Sequence, residues 1–162
     1  NATVPKVVSQ MKGELQFEIR HQCGEKLLSD AKQSYESAGV EASVEAFIQD
    51  MAAAYGWADI VIGRAGALTI AELCAAGVGS ILIPFPGAVD DHQARNAQYL
   101  KECGAGDWLR QTETLEHDLK QLLGEFCENR AFLMQLACAA RKAALPDATK
   151  DVADIVLSEA KA

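Results

Sequence analysis

Short apolar runs alternate with helical patterns along the first 110 residues, and this alternation restricts the fold more than any other feature of the sequence. Runs of β-branched and alternating apolar residues predict strands at 15–21, 41–48, 59–63, 80–85 and 107–110. Amphipathic patterns predict helices at 2–12, 25–39, 51–58, 68–77 and 91–104. Strict alternation of this kind predicts right-handed βαβ units, and therefore an α/β domain with a parallel sheet flanked by helices.

The composition fits one globular domain, with 162 residues, of which 49% are hydrophobic and 23% charged. The net charge of −8 argues against a surface that binds nucleic acid or anionic lipid, although one anionic ligand could occupy a local pocket. Five cysteines without a C-x-x-C pair indicate buried thiols in a reducing compartment, and a reactive thiol or metal ligand is the alternative. The sequence contains no run of 18 apolar residues, so it does not predict a membrane-spanning helix.

Both ends of the chain carry expectations of their own. The sequence begins with Asn1 instead of methionine, and no strand precedes the first predicted helix. We therefore expect a fragment that lacks an N-terminal part, including a first strand whose absence would expose an edge of the sheet. From Leu115 onwards the pattern is helical with a break near Pro146, which predicts a separate C-terminal helix over 146–162.

Ligands of open parallel sheets bind at the carboxyl ends of the strands, here the loops after Phe47, Ile62 and Phe85. The loop after Ile62 contains the small residues of "RAGA" and is followed by a predicted helix. The first-turn amides of that helix, at 67–69, predict an anion site, and Gly66 would let phosphate approach the backbone. The alternative is a tight turn with no ligand, since the loop matches neither G-x-x-x-x-G-K-[ST] nor G-x-G-x-x-G.

Three further residues near these loops suit a nucleotide sugar. Glu72, one turn into the helix, either complements the helix dipole or accepts hydrogen bonds from the hydroxyls of a ribose. Gln93 either is solvated or reads sugar hydroxyls with its donor and acceptor groups. Ile48 either packs in the core with Phe47 or presents its backbone to a flat base.

The segment "DDH" at 90–92 also invites a metal interpretation. Consecutive residues at a helix start point away from one another, so a single ion cannot easily collect Asp90, Asp91 and His92. We expect one of the two aspartates to cap the following helix, and we predict no metal site.

Two long segments, "FIQDMAAAYGWADIVIGRAGALTIAELCAAG" and "PFPGAVDDHQARNA", resemble the C-terminal half of the MurG family. These enzymes transfer N-acetylglucosamine from UDP-N-acetylglucosamine to lipid I, which yields lipid II in bacterial peptidoglycan synthesis. The resemblance covers essentially the whole chain, including "ALPDATKDVADIV". It implies a Rossmann-like sheet with flanking helices that forms the C-terminal half of a GT-B glycosyltransferase.

The family's properties are expectations for this chain. The C-terminal domain binds the UDP-N-acetylglucosamine donor, and the enzyme inverts at the anomeric carbon without a metal or other cofactor. The N-terminal domain binds lipid I and the membrane surface, so the resemblance implies a peripheral protein at the cytoplasmic face of the bacterial inner membrane. No catalytic residue is expected within this chain.

The resemblance also assigns roles to individual residues. Ile48 matches the position whose backbone reads uracil, and Gln93 matches a glutamine that contacts the sugar hydroxyls. Gly66 begins the segment that binds the donor, in which Glu72 contacts the ribose. The other matching positions of this segment are Ala67, Leu68, Thr69, Ile70 and Ala71.

Departures from the family weaken these expectations. The family's Gly-Gly-Ser loop and the arginine before it would lie upstream of Asn1, and many relatives have serine where Ala65 stands. We expect weakened nucleotide-sugar affinity and no glycosyl transfer by this chain alone. The alternatives are the donor domain of another GT-B lipid glycosyltransferase and a non-catalytic module that binds UDP-sugars. A nicotinamide dehydrogenase is disfavoured because no G-x-G-x-x-G follows a strand.

Overall fold

The computed structural model describes residues 1–159, which form an α/β domain with eight helices and five short parallel strands. The strands are β1 (Arg20–Gln22), β2 (Ser43–Glu45), β3 (Ile60–Gly63), β4 (Gly79–Leu82) and β5 (Gly106–Trp108). The helices are α1 (Thr3–Gln10), α2 (Leu28–Ala38), α3 (Met51–Trp57), α4 (Ala67–Ala76), α5 (His92–Glu102), α6 (Leu115–Glu128), α7 (Arg130–Lys142) and α8 (Ala148–Glu159). Short 3₁₀ turns at Glu25–Leu27 and Val89–Asp91 lead into α2 and α5.

The predicted alternation of strands and helices is confirmed, although most predicted ends differ from the observed ones. The strand predicted at 15–21 is reduced to β1, and the one at 107–110 to β5. The helical region after Leu115 is broken at Asn129, whose side chain accepts hydrogen bonds from the amides of Ala131 and Phe132 and so begins a new helix, α7. Within the segment predicted as a separate C-terminal helix, 146–162, the structure has α8 (Ala148–Glu159), and residues 160–162 lie outside the described residues.

Strand β4 is the centre of the core because helices cover both of its faces. Its four residues are all buried, and their side chains alternate between the faces. Leu82 packs with residues of α4, α5 and α7, among them Leu73 and Leu100. Ile81 packs on the other face with residues of α1 and α6, among them Val7 and Leu119. Packing on both faces therefore fixes β4, and with it the start of the loop that leads to α5.

The five strands form two separate sheets instead of one. β1 pairs with β2, and β3, β4 and β5 pair in that order. The unpaired edges of β1 and β3 border one cavity of about 510 Å³, which residues of both strands line. The apolar part of its lining includes Val4, Phe17, Ile60, Ile62 and Leu123.

The apolar run at 59–63 predicts a strand that is covered on both faces. The residues of β3 are half-buried instead, because this cavity lies beside them. Among residues 1–159, no helix is both long and apolar enough to cross a bilayer.

Candidate functional site

The loops after β3 and β4 are joined by hydrogen bonds at the carboxyl edge of the sheet. The side-chain oxygen of Gln93 accepts hydrogen bonds from the amides of Ala65 and Phe85, at 3.3 and 3.0 Å. The Asn96 amide donates to the Ala65 carbonyl at 2.9 Å. The first two turns of α5 therefore hold the backbone that leads into α4.

Arg64 adds a second connection between the same loops. Its guanidinium donates to the carbonyls of Ile83 and Pro84, both at 3.1 Å, and to the side-chain oxygen of Gln111 at 2.8 Å. It also lies over the Phe85 ring, with 5.6 Å between the guanidinium carbon and the ring centroid. Three consecutive loops, after β3, β4 and β5, are thus fixed by one side chain.

The Gly66 turn has ordinary backbone geometry. Gly66 precedes α4 with φ −66° and ψ 149°, a conformation open to any L-residue. A Cβ built there would meet only the Thr69 hydroxyl oxygen, at 3.5 Å, which is normal van der Waals contact. The backbone of the turn therefore does not require glycine.

The first-turn amides of α4 are available to a ligand. The amides of Ala67, Leu68 and Thr69 donate no hydrogen bond within the part of the chain that the structure describes, and no side chain caps α4. Ala67 and Leu68 are exposed, and Thr69 lines the cavity next to β3. Ile70 is buried and Ala71 exposed, so of these two only Ile70 contributes to the core.

Glu72 is held by a tyrosine from the preceding helix. The Tyr55 hydroxyl donates to Glu72 Oε2 at 2.9 Å, and both residues are half-buried. Burial, and then the hydrogen bond to Glu72 and its charge, raise the pKa of Tyr55 to about 12. Tyr55 therefore stays protonated at neutral pH and remains a donor to the carboxylate.

Gln93 is half-buried and bonded, so it is not the solvated glutamine of the alternative interpretation. Because its oxygen is used by two backbone amides, its NH₂ group is the part left to face a sugar hydroxyl.

Ile48 lies in the loop between β2 and α3 and lines the same cavity as Thr69 and Tyr55. Its backbone amide already has a partner, since it donates a hydrogen bond to Gln22 Oε1 at 2.8 Å. Phe47, by contrast, is 61% exposed, so joint packing of both residues in the core is wrong. A base at this place would have to displace the Gln22 side chain from the Ile48 amide.

The expected aspartate cap on α5 is wrong. Asp90 and Asp91 both adopt left-handed backbone conformations, with φ of 52° and 53°, and neither side chain caps the helix. Asp91 instead accepts a hydrogen bond from Arg110 at 2.9 Å, which lowers the pKa of its carboxyl. Within residues 1–159, no group of three or more histidine, cysteine or acidic side chains is arranged to hold a metal ion.

Sequence reasoning did not assign four residues to the site: Gln22, Tyr55, Arg64 and Asn96. Their partners lie 17 to 47 positions away for the bonds described above, so local spacing cannot pair them. Their polar character next to predicted loops is the single indication that the sequence offers.

Parallel strands, flanking helices and free amides at the carboxyl edge define an α/β domain of the doubly wound class, which binds ligands at this edge. Residues 1–152 match the glycosyltransferase family 28 C-terminal domain. The chain belongs to this family.

Two relatives carry the name UDP-N-acetylglucosamine--N-acetylmuramyl-(pentapeptide) pyrophosphoryl-undecaprenol N-acetylglucosamine transferase. The protein of Xanthomonas axonopodis pv. citri is 55% identical over 148 residues, which are 91% of this chain and 35% of the relative. That of Marinobacter nauticus is 49% identical over 160 residues, which are 99% of this chain and 44% of the relative. The chain therefore spans less than half the length of these curated relatives.

Solved structures agree with the fold. The crystal structure of Acinetobacter baumannii MurG matches with a TM-score of 0.84 and 38% identity, over 96% of this chain and 46% of that one. The glycosyltransferase VinC, in complex with dTDP, matches with a TM-score of 0.62 and 17% identity, which indicates a shared fold. The predicted class, a Rossmann-like α/β domain of the kind found in the C-terminal half of GT-B glycosyltransferases, is confirmed.

Proposed function

We propose that this chain binds the UDP-N-acetylglucosamine donor of an N-acetylglucosaminyltransferase. The observation that carries the proposal is the set of unpartnered amides at Ala67, Leu68 and Thr69, placed behind a glycine whose backbone does not need to be glycine. These amides suit the pyrophosphate, since a helix N-terminus carries both free donors and a positive dipole. The family and the names of its relatives support a UDP-sugar as the ligand.

The remaining parts of the donor are assigned to neighbouring residues. Glu72 accepts hydrogen bonds from the ribose hydroxyls, and the Gln93 NH₂ group contacts the sugar. The Ile48 backbone reads uracil once Gln22 has moved aside. Ile70 and Ala71 belong to the same donor-binding segment, with Ile70 acting through the packing of α4.

The complete reaction needs residues beyond this chain. In it, the 4-hydroxyl of lipid I attacks the anomeric carbon of N-acetylglucosamine with inversion, the bond to UDP breaks, and lipid II forms. The α4 amides stabilise the negative charge that grows on the leaving pyrophosphate. The acceptor, the general base and the contact with the cytoplasmic face of the inner membrane belong to an N-terminal domain, so the 162-residue chain alone should not transfer sugar.

Titration of the chain with UDP, UDP-N-acetylglucosamine and ADP, followed by two-dimensional NMR, tests the proposal. We expect shifts at 47–48 and 66–72 with both uridine nucleotides, and a weaker response to ADP, because the hydrogen-bonding edge of adenine differs from that of uracil, which the Ile48 backbone is proposed to read. An equal response to ADP would contradict the uracil assignment. Absence of shifts at 66–72 with every nucleotide would contradict the donor site itself.

A further inference from the structure

We propose that Tyr55 is a positioning residue that orients the Glu72 carboxylate toward a vicinal diol of the ligand. The inference rests on the proposed function, because it takes Glu72 as the group that accepts hydrogen bonds from the ribose. It adds a residue from a different helix to that site and gives the phenol hydroxyl a role in selecting ribose over deoxyribose.

The geometry links two helices through one hydrogen bond. Tyr55 lies in α3 and Glu72 in α4, and the hydroxyl oxygen lies 2.9 Å from Glu72 Oε2. The terminal torsion of a glutamate is broad, so a free carboxylate samples many orientations. A hydrogen bond to one oxygen removes much of this freedom before the ligand arrives. Oε1 is then left for the ligand, together with the second lone pair of Oε2.

The location agrees with a role at a ligand site. Tyr55 lines the cavity that Ile48 and Thr69 also line, and its hydroxyl reaches Glu72 on the next helix. The half-buried setting of both side chains makes the hydrogen bond stronger than the same contact in water.

The partner of the Glu72 carboxylate is a neutral hydroxyl and not a cation. No lysine or arginine among residues 1–159 forms an ion pair with Glu72. With a pKa of about 12, Tyr55 stays neutral and donates throughout the physiological range. The hydroxyl therefore orients the carboxylate without neutralising it, and the full negative charge stays available to polarise two ligand hydroxyls.

The substitution Tyr55→Phe removes the hydroxyl and keeps the ring. Dissociation constants for UDP and 2′-deoxy-UDP are measured by calorimetry at pH 7.5 for the wild-type chain and the variant. We expect the wild type to prefer UDP, and Tyr55→Phe to weaken UDP binding by about three- to tenfold. Binding of 2′-deoxy-UDP should change less, so the preference for UDP should shrink.

Tyr99→Phe is the matched control, because it deletes the same hydroxyl from a ring that is 46% exposed on α5. Its preference for UDP should equal that of the wild type. A double variant, Tyr55→Phe with Glu72→Gln, should show no greater loss than Glu72→Gln alone, since both changes act through one carboxylate. Additive losses would overturn the inference, because Tyr55 would then act independently of Glu72.

Glu72→Gln gives a second test that leaves Tyr55 in place, should Tyr55→Phe fail to fold. The Raman doublet of tyrosine reports how strongly the hydroxyl donates, and it should indicate a weaker donor when the acceptor loses its charge. An unchanged doublet would show that the contact is absent and would overturn the inference.

Three further outcomes separate this inference from the proposed function. If the wild type binds no uridine nucleotide, the proposed function fails and the inference fails with it. If the wild type binds UDP and 2′-deoxy-UDP equally, Glu72 is not the ribose ligand, so the inference fails while UDP binding still supports the proposed function. If the wild type discriminates and Tyr55→Phe discriminates equally well, only the positioning role of Tyr55 fails.

Discussion

Two physical explanations can account for a glycine at position 66, directly before α4. A turn that needs a positive φ requires glycine for its backbone, whereas a ligand that approaches closely requires the absence of a side chain. Because φ is −66° and a Cβ would meet only the Thr69 hydroxyl at van der Waals distance, the first explanation is excluded. Close approach of a ligand is the explanation that the proposed donor site supplies.

We therefore expect Gly66→Ala to fold as well as the wild type and to bind UDP poorly. Stability should be unchanged or rise by about 0.4–1 kcal/mol, because alanine restricts the unfolded chain more than glycine does. The added methyl group would keep phosphate from the amides of Leu68 and Thr69. Thermal midpoint and UDP affinity are measured on the same sample.

Gly124→Ala in α6 is the control, since a Cβ there makes ordinary contact with Met11, far along the chain from the α4 turn. It should leave UDP binding unchanged. Normal UDP affinity in Gly66→Ala would contradict the proposal that phosphate approaches the backbone at this point.

At the residue scale, the sequence identifies candidates better than it identifies their partners. Glu72 and Gln93 can be named from their places near predicted helix starts. Their contacts with Tyr55 and with the loop amides arise from tertiary packing across 17 and 28 positions. Ile48 could be named in the same way, yet its bond to Gln22 could not, because the two residues lie 26 positions apart.

Helix α3 is the element that connects local sequence to the site, because it carries Tyr55. Asp50 caps it by accepting a hydrogen bond from the Ala53 amide at 2.8 Å, which is typical of an aspartate directly before a helix. With only seven residues, α3 depends on this cap more than a long helix would. The same type of reasoning fails at Asp90 and Asp91, where two left-handed residues turn the carboxylates away from the amides of α5.

Asp50→Ala should lower the free energy of unfolding by about 0.5–2 kcal/mol, because the Ala53 amide loses its acceptor. Asp50→Asn is the matched control, since asparagine keeps an acceptor oxygen and caps equally well, and it should unfold near the wild type. Urea denaturation followed by circular dichroism measures both. Equal losses for the two variants would mean that the charge, and not the cap, stabilises α3.

Short strands mark where element prediction from sequence loses precision. The apolar alternation at 15–21 continues beyond the residues that pair, and only Arg20–Gln22 forms β1. Periodicity records which side chains can face a core, whereas pairing requires a neighbouring strand in register. β1 has such a neighbour on one edge alone, and its other edge borders the cavity next to β3.

Across the whole molecule, the order of elements could be predicted, but the division into two sheets could not. Parallel pairing and helices on both faces follow from the alternation of strands and helices. The sequence leads us to expect an exposed sheet edge, and the unpaired edges of β1 and β3 agree with this expectation, but which strands border the gap depends on tertiary packing. The cavity along the gap is also lined by Ile48 and Thr69 of the candidate site.

Helix α8 differs from the other long helices because none of its residues is buried. Its apolar residues remain largely exposed, with 62% for Val152 and 63% for Ile155, so it adds little to the core. We therefore expect deletion of residues 148–162 to lower the thermal midpoint by less than about 2 °C, which corresponds to no more than about 0.5–1 kcal/mol for a domain of this size.

Deletion of residues 130–162 is the control, because it also removes α7, whose Leu136 and Ala140 are buried against the core. That chain should lose cooperative unfolding. Calorimetry of both shortened chains tests whether the region from 146 onwards is a separate element, as the sequence predicts. A fall of 5 °C or more after removal of 148–162 alone, roughly the effect of 1–2 kcal/mol, would mean that α8 stabilises the domain through contacts that its exposed residues do not indicate.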